Sequence, residues 1–333
     1  TGGGCPHILA EPQRTNLIQY SEAFNSWNTK QNVTVAEDTS ETTSPSGNNT
    51  ASKITINSSG TPRRLYEIVT TSSGNDYTFT LYAKKGTTDY IRILFSSVII
   101  DVAFNLTSGT VTSGAGSIEA VGNDWYRIQA TGTSSSASEV PQIQLSSSAS
   151  VSDYLYIYGC QIEEGSYATS YIPTSGSTVT RNQDIFTRDG IGSLINSTEG
   201  VLFVEMAALA DDGTNRYISI SNSTVPADDY ISIIYRPTSN QVRGAIVTGG
   251  VNQVLLSFVV TDATAFNKIA FKWKAGDFAL WIGGVEVVTS SSGSIPTGLN
   301  KISNDNGGGS FYMYSKVKQL QVYDTALTDE QLE

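Results

Sequence analysis

What constrains this chain most is a two-residue alternation of apolar and polar side chains, repeated in short runs along its length. In residues 76–82, Tyr77, Phe79 and Leu81 fall on one side and Thr78, Thr80 and Tyr82 on the other. A period of two belongs to a strand with one buried face, because successive side chains of extended backbone point opposite ways. Residues 90–95 repeat the pattern, with Ile91, Ile93 and Phe95 opposed to Tyr90 and Arg92. Residues 102–106, 125–128, 142–145 and 154–158 add four more runs, Leu155 and Ile157 pointing inward in the last. Later runs cover residues 201–206, 231–235, 268–274 and 278–282, and Gly283-Gly284 makes a two-residue turn. In residues 268–274 the apolar face is Ile269, Phe271 and Trp273, and the opposite face is Lys268, Lys272 and Lys274. The fold class predicted is all-β, as sandwiches or jelly rolls rather than a parallel α/β sheet. One short helix is expected within residues 324–333, with Thr328 as N-cap and Gln331 three residues on.

The chain has 333 residues, more than one core usually holds, so two β-sandwich domains in tandem are expected. A turn-rich stretch at Thr174-Ser175-Gly176-Ser177 places the boundary, giving domains 1–175 and 176–333. Their formal charges are −6 and −5, so neither is a charged tail.

Composition removes several function classes. A net charge of −11 leaves too few Lys and Arg to neutralise a nucleic-acid backbone or to hold an anionic membrane surface. No apolar run is long enough for membrane insertion. The single histidine, His7, rules out a multi-histidine zinc site and leaves little for a Ser-His-Asp triad. Cys5 and Cys160 supply neither a metal cage nor a disulfide framework, although the two could pair in an oxidising compartment. Ser and Thr make up about a quarter of the residues, and tyrosine, at 17, is the commonest aromatic. The carboxylate pairs Asp211-Asp212, Asp228-Asp229 and Glu163-Glu164 are adjacent in sequence, so in a strand their members face opposite ways and cannot flank one glycosidic bond. The chain reads as non-enzymatic. It begins at Thr1, so the lack of a visible targeting signal carries no information.

Certain segments resemble known families. Asn16-Leu17-Ile18-Gln19-Tyr20-Ser21-Glu22-Ala23-Phe24 with Trp27 resembles the opening strand of carbohydrate-binding-module jelly rolls, and residues 156–165 resemble their closing strand. Glu11-Pro12-Gln13-Arg14-Thr15-Asn16-Leu17 together with Ala168-Thr169-Ser170-Tyr171-Ile172-Pro173-Thr174 resembles modules of bacteriophage tail and other virion proteins. The second half, through residues 267–273, 280–285 and 317–332, resembles laminin-G and concanavalin-A-like sandwiches, with Gly283 where that family often carries Asn or Asp. The resemblance implies a virion appendage, tail or fibre, on the virion surface or otherwise extracellular. Its partners would be a host-surface polysaccharide and other virion proteins. Tail appendages of this kind are often trimers, so a homo-oligomer is implied too. By the same resemblance a structural Ca²⁺ would sit between first and last strands, with Glu22 and Glu163 as the matching carboxylates; the reading favoured for both is that of ordinary surface acids. The alternatives are a purely structural capsid-decoration role, or the ancillary glycan-binding region of a secreted polysaccharide-degrading enzyme.

Sugar recognition needs an aromatic platform and a few planar polar side chains. In the first half Tyr66, Tyr90, Arg92, Gln144 and Tyr156 are candidates to share the face opposite the core, although each tyrosine also suits cross-strand packing. Trp125 is expected in the core. In the second half the candidates are Tyr217, Arg236 and Trp281.

Overall fold

The computed structural model describes residues 7–95, 99–222 and 228–333. Among the described residues its regular structure is almost entirely antiparallel strand, with two 3-10 turns and one helical turn near the end. Two compact units are present: Gln13–Asn182 forms one, and Gln183–Glu333 with residues 7–12 forms the other. The chain therefore passes between units after Asn182, beyond the turn at residues 174–177. The strand Ile8–Ala10 belongs to the second unit, where Ile8 stands opposite Val317.

The first unit contains two six-stranded sheets. One runs Thr110–Ser113, Asp101–Asn105, Tyr90–Leu94, Gln142–Leu145, Arg64–Tyr66, Thr29–Gln31. The other runs Ser117–Gly122, Trp125–Thr133, Asp76–Lys85, Tyr154–Glu164, Ser52–Ile56, Val33–Ala36. Their inward faces meet in one core, to which Ile91, Ile93, Phe104 and Ile143 come from the first sheet and Phe79, Leu81, Ile128, Leu155 and Ile157 from the second. Of these, Phe79, Leu81, Ile91, Ile93, Leu155 and Ile157 are positions the alternation placed on one face or inward. Burying each such side chain contributes about 1.5–3 kcal/mol.

The segment resembling an opening strand departs from one. Only Arg14–Asn16 is strand, followed by a single bridge from Tyr20 to Ser175 and a 3-10 turn at Phe24–Ser26. Side chains add there to backbone bonds such as Leu17 N–H to the Ile162 carbonyl at 2.8 Å and Cys160 N–H to the Ser21 carbonyl at 2.9 Å. The buried Asn16 amide donates to the Cys160 and Ile172 carbonyls at 3.1 and 2.9 Å, and its Oδ1 accepts the Ile18 and Ile162 N–H groups at 3.1 Å each. Thr174 Oγ1 donates to the Ile18 carbonyl at 2.7 Å. The residues that carry the virion-module resemblance thus clamp both ends of this unit to its closing strand.

The second unit pairs a sheet ordered Ile8–Ala10, Ser315–Tyr323, Glu199–Ala208, Asn267–Lys274, Phe278–Ile282, Val285–Ser290 with one ordered Thr187–Arg188, Lys301–Ser303, Arg216–Ser221, Tyr230–Tyr235, Gln241–Thr248, Val251–Val259. Leu202, Val204, Phe271 and Leu280 meet Ile218, Ile220, Ile231, Ile233 and Ile246 between them. The helix is the single turn Asp329–Leu332, and the Thr328 N–H donates to Gln331 Oε1 at 3.0 Å. Lys272 does not join an exposed basic face: it is 5% exposed and pairs with Asp277 and Asp329 at 3.1 and 3.4 Å.

Candidate functional site

Strand register assembles a polar face on the outward side of the first unit's Tyr90–Leu94 sheet. Gln142 stands opposite both Tyr66 and Leu94, and Gln144 opposite both Arg64 and Arg92. Gln31 stands opposite Arg64, and Ala103 opposite Arg92. Because neighbouring strands are about 4.8 Å apart, Ala103, Arg92, Gln144, Arg64 and Gln31 form one row across the sheet. Tyr66, Gln142 and Asp101 occupy the next row, and Tyr90, paired with Asn105, lies on the far side.

Hydrogen bonds run along these rows. Arg92 donates to both carboxylate oxygens of Asp101 at 2.5 Å, and through its remaining Nη to Gln144 Oε1 at 3.3 Å. Gln144 Nε2 donates to Gln142 Oε1 at 3.0 Å, which also accepts from Arg64 at 2.7 Å. Arg64 Nε donates to Gln31 Oε1 at 3.2 Å, and its guanidinium lies 5.2 Å over the Tyr66 ring. Hydrogen bonding to Arg92 holds the Asp101 carboxyl below the usual aspartate range, and the same contact raises the Arg92 guanidinium. Both side chains remain 34% exposed, so the pair is wet and screened.

Beside this network an open cleft of about 590 Å³ is lined by Tyr90, Arg92 and Gln144, with Thr61, Pro62 and residues 146–148 as walls. Arg63 ties the walls together. Its buried guanidinium donates to the Ser146 and Ala149 carbonyls at 3.0 and 2.5 Å on one side, and to Gly60 and Ser59 at 3.3 and 3.4 Å on the other. The result is a preformed groove with the Gln144 amide and the Arg92 guanidinium on its floor and Tyr90 in its lining. Such a groove suits a ring carrying several hydroxyl groups.

Four of the five first-half candidates, Tyr66, Tyr90, Arg92 and Gln144, share this face. Tyr156 does not. It lies on the other sheet, opposite Lys84 and Lys53, and is 7% exposed. There it packs with Trp125, Tyr158 and Ala51 in an aromatic cluster. Its hydroxyl donates to Glu41 at 2.9 Å, and burial together with that bond raises its pKa. Trp125 is buried in this same cluster outside the main core, its Nε1 donating to the Thr43 carbonyl at 2.8 Å. Arg64, Gln142, Gln31 and Asp101 were missed by sequence reasoning. Alternation alone puts Arg64 beside Tyr66 and Gln142 beside Gln144; the pairing of strands that are distant in sequence was the absent information.

In the second unit Tyr217 is half-buried, with its ring 5.8 Å from Phe311, and Arg236 donates to Asn215 Oδ1 at 2.7 Å. Trp281 is no platform. It is 4% exposed and packs with Val201, Ala270 and Ala279 beneath Leu327 and Leu332, because the tail folds over it. Around it lies a cavity of about 250 Å³.

Glu163 and Glu22, the carboxylates that the resemblance matches to calcium, both have protein partners. Buried Glu163 already accepts from Gln161 Nε2 at 2.8 Å, the Thr169 N–H at 2.7 Å and the Thr169 hydroxyl at 2.6 Å, with Arg14 3.7 Å away. A cation would displace these donors and face a guanidinium. Glu22 instead lies 2.9 Å from the Tyr171 hydroxyl. Among the described residues no three His, Cys, Asp or Glu side chains group together. The adjacent acid pairs have separate partners. Asp211 accepts from Asn240, Asp212 pairs with Arg216, Asp229 accepts from Gly249, and Glu164 accepts from Asn75 and Tyr77. Cys160 is buried, and Cys5 lies outside the described residues. Among the described residues no helix is long and apolar enough to cross a membrane.

No family model matches the chain, and no curated protein matches it. Several solved structures are similar over part of it. The CBM40 module of the Ruminococcus gnavus IT-sialidase is 14% identical, covers 44% of this chain and 96% of its own, and superposes with a TM-score of 0.36. The leech intramolecular trans-sialidase is 19% identical over 41% of this chain and 23% of its own, with a TM-score of 0.35. A SAP-like pentraxin from Limulus polyphemus is 15% identical over 41% and 68%, with a TM-score of 0.33. The likeness extends to partial β architecture and no further.

Proposed function

We propose that this chain binds glycans without altering them, through the outward face of the first unit's Tyr90–Leu94 sheet, as part of a virion appendage that meets host-surface polysaccharide. The observation that carries the reading is the bonded row of Arg92, Gln144, Gln142 and Arg64 between Tyr66 and Tyr90, opening into a walled cleft. Prealigned amides and guanidiniums reach hydroxyl groups with little ordering cost, and preorganisation of this kind favours affinity. Placement on a virion rests on the sequence resemblance in residues 11–17 and 168–174. Incubating the full chain with a panel of bacterial envelope and capsule polysaccharides tests the proposal. Saturable binding, with the polysaccharide recovered at unchanged length, supports it. Absence of binding across the panel, or shortening of the recovered chains, contradicts it.

A second reading, in which the chain packs against virion neighbours or copies of itself, is favoured by one observation. The edge strand Val251–Val259 exposes Val251, Leu255 and Val259 at 60%, 46% and 56%. Unpaired apolar edges invite partners. Sedimentation of the full chain over a concentration range would show self-association if this reading holds, and a monomer throughout if copies do not meet there.

A further inference from the structure

The second unit carries another outward face whose chemistry differs from that of the first. Strand register again defines it. Tyr217 stands opposite Ile234, and Ile234 opposite Arg243. The flanking residues Ile218, Ile233 and Val242 enter the core, so this row points outward. One step along, the Arg236 N–H donates to the Gln241 carbonyl at 2.9 Å, which puts Arg236 on the diagonal from Arg243. Diagonal neighbours lie roughly 7–8 Å apart at the backbone, within reach of long side chains.

These two guanidiniums lack counter-ions. Among the described residues, the ion pairs of this unit are made by Arg216, Lys272, Lys274 and Lys318, and neither Arg236 nor Arg243 joins one. Arg236 spends one Nη on Asn215, and its buried Nε has no acceptor. Arg243 spends its Nε on Ser257 Oγ at 2.8 Å, which leaves both terminal nitrogens available. Burial and the charge of Arg236 push the Arg243 guanidinium below its usual range. Unpaired like charges held together this way are relieved by an anion.

The apolar half of the site is Phe311. It is 54% exposed, and its φ of 57° is a conformation that a bulky side chain rarely adopts. Such strain persists where the surroundings over-determine it, and it is found at binding sites. The Phe311 carbonyl accepts the Tyr217 N–H at 2.9 Å, which fixes the exposed ring beside Tyr217.

The geometry points to a second saccharide site on this face, selective for a sugar that bears a carboxylate. Arg236 and Arg243 take the carboxylate, the fork of a guanidinium matching its two oxygens. Phe311 and Tyr217 lie against the C–H face of the ring. This site uses residues and a unit different from those of the first groove, so it stands or falls independently.

Titration of the full chain with sodium glucuronate, with glucose as the neutral control, tests it by ligand-observed NMR. Saturable glucuronate binding is expected, at least tenfold tighter than glucose. The double variant R236Q/R243Q should lose at least tenfold in glucuronate affinity, and F311A, a change on an exposed ring, should lose severalfold. Tyr90→Ala should leave glucuronate binding unchanged, which separates this site from the first groove. Equal binding of glucose, undiminished binding by R236Q/R243Q, or a Tyr90→Ala loss matching that of the double variant would overturn the assignment. Sulfate displacing glucuronate with no effect of F311A would overturn it as well, as a bare anion site.

Discussion

Replacing Arg63 with methionine keeps most of the buried stem and removes the group that joins the cleft walls. The guanidinium makes four bonds to carbonyls, but only those to Ser146 and Ala149, at 3.0 and 2.5 Å, are short enough to weigh heavily. A bond to a charged donor is worth about 1.5–3 kcal/mol. Water reaches the released carbonyls at the cleft rim, so the lower end applies, and the pair together contributes about 3 kcal/mol. For a unit of this size 1 kcal/mol moves the melting temperature by roughly 2–4 °C, so the transition of the first unit should fall by about 6–12 °C. The change should be followed by near-ultraviolet circular dichroism, since the unit is rich in tyrosine. Below the transition, polysaccharide binding should weaken, because residues 146–148 lose their anchor to the Gly60 side. A shift under about 2 °C with unchanged binding would refute the claim that Arg63 holds the groove in shape.

Three further outcomes follow from named contacts. Gly244→Ala would put a Cβ 2.5 Å from the buried Phe271 ring, so the urea midpoint should fall by an amount equivalent to about 1–3 kcal/mol. Trp125→Phe deletes the 2.8 Å bond to the Thr43 carbonyl and should cost about 1 kcal/mol in the same assay. The lowered Asp101 carboxyl implies a stabilising pair with Arg92 that is fully present above the ordinary aspartate range, about pH 4, and is lost as pH falls through the lower folded value. Polysaccharide binding should therefore hold steady down to about pH 4 in the parent and change only below it, and should stay flatter in Asp101→Asn.

Much of the architecture was legible because a period of two depends only on neighbours in sequence. Tyr77, Phe79 and Leu81, and likewise Ile91, Ile93 and Phe95, are all at most 2% exposed, as the alternation required. The same parity placed Tyr90 with Arg92 on one outward face. What parity cannot supply is which strands lie side by side. Tyr156 has the correct parity for an outward residue, yet its strand belongs to the opposite sheet and a loop covers it. Trp281 sits on a correctly assigned strand, but residues about fifty positions later fold across it. The strand Ile8–Ala10 pairs with residues some three hundred positions away, a contact no local pattern encodes. Glu163 resembled a metal ligand by position in its strand, whereas its partners, Thr169 and Arg14, are set by the tail and the N-terminal segment closing around it.

The central claim is that the Tyr66–Arg92–Gln144 face holds a sugar. It is tested most directly by measuring the affinity of the full chain for one retained oligosaccharide in the parent and in Arg92→Ala and Gln144→Ala. Removal of a bond from a charged donor is worth about 1.5–3 kcal/mol, so Arg92→Ala should weaken binding at least tenfold, with Gln144→Ala in the same direction and melting temperature nearly unchanged. Parent-like affinity in both variants would place the sugar elsewhere and contradict the account.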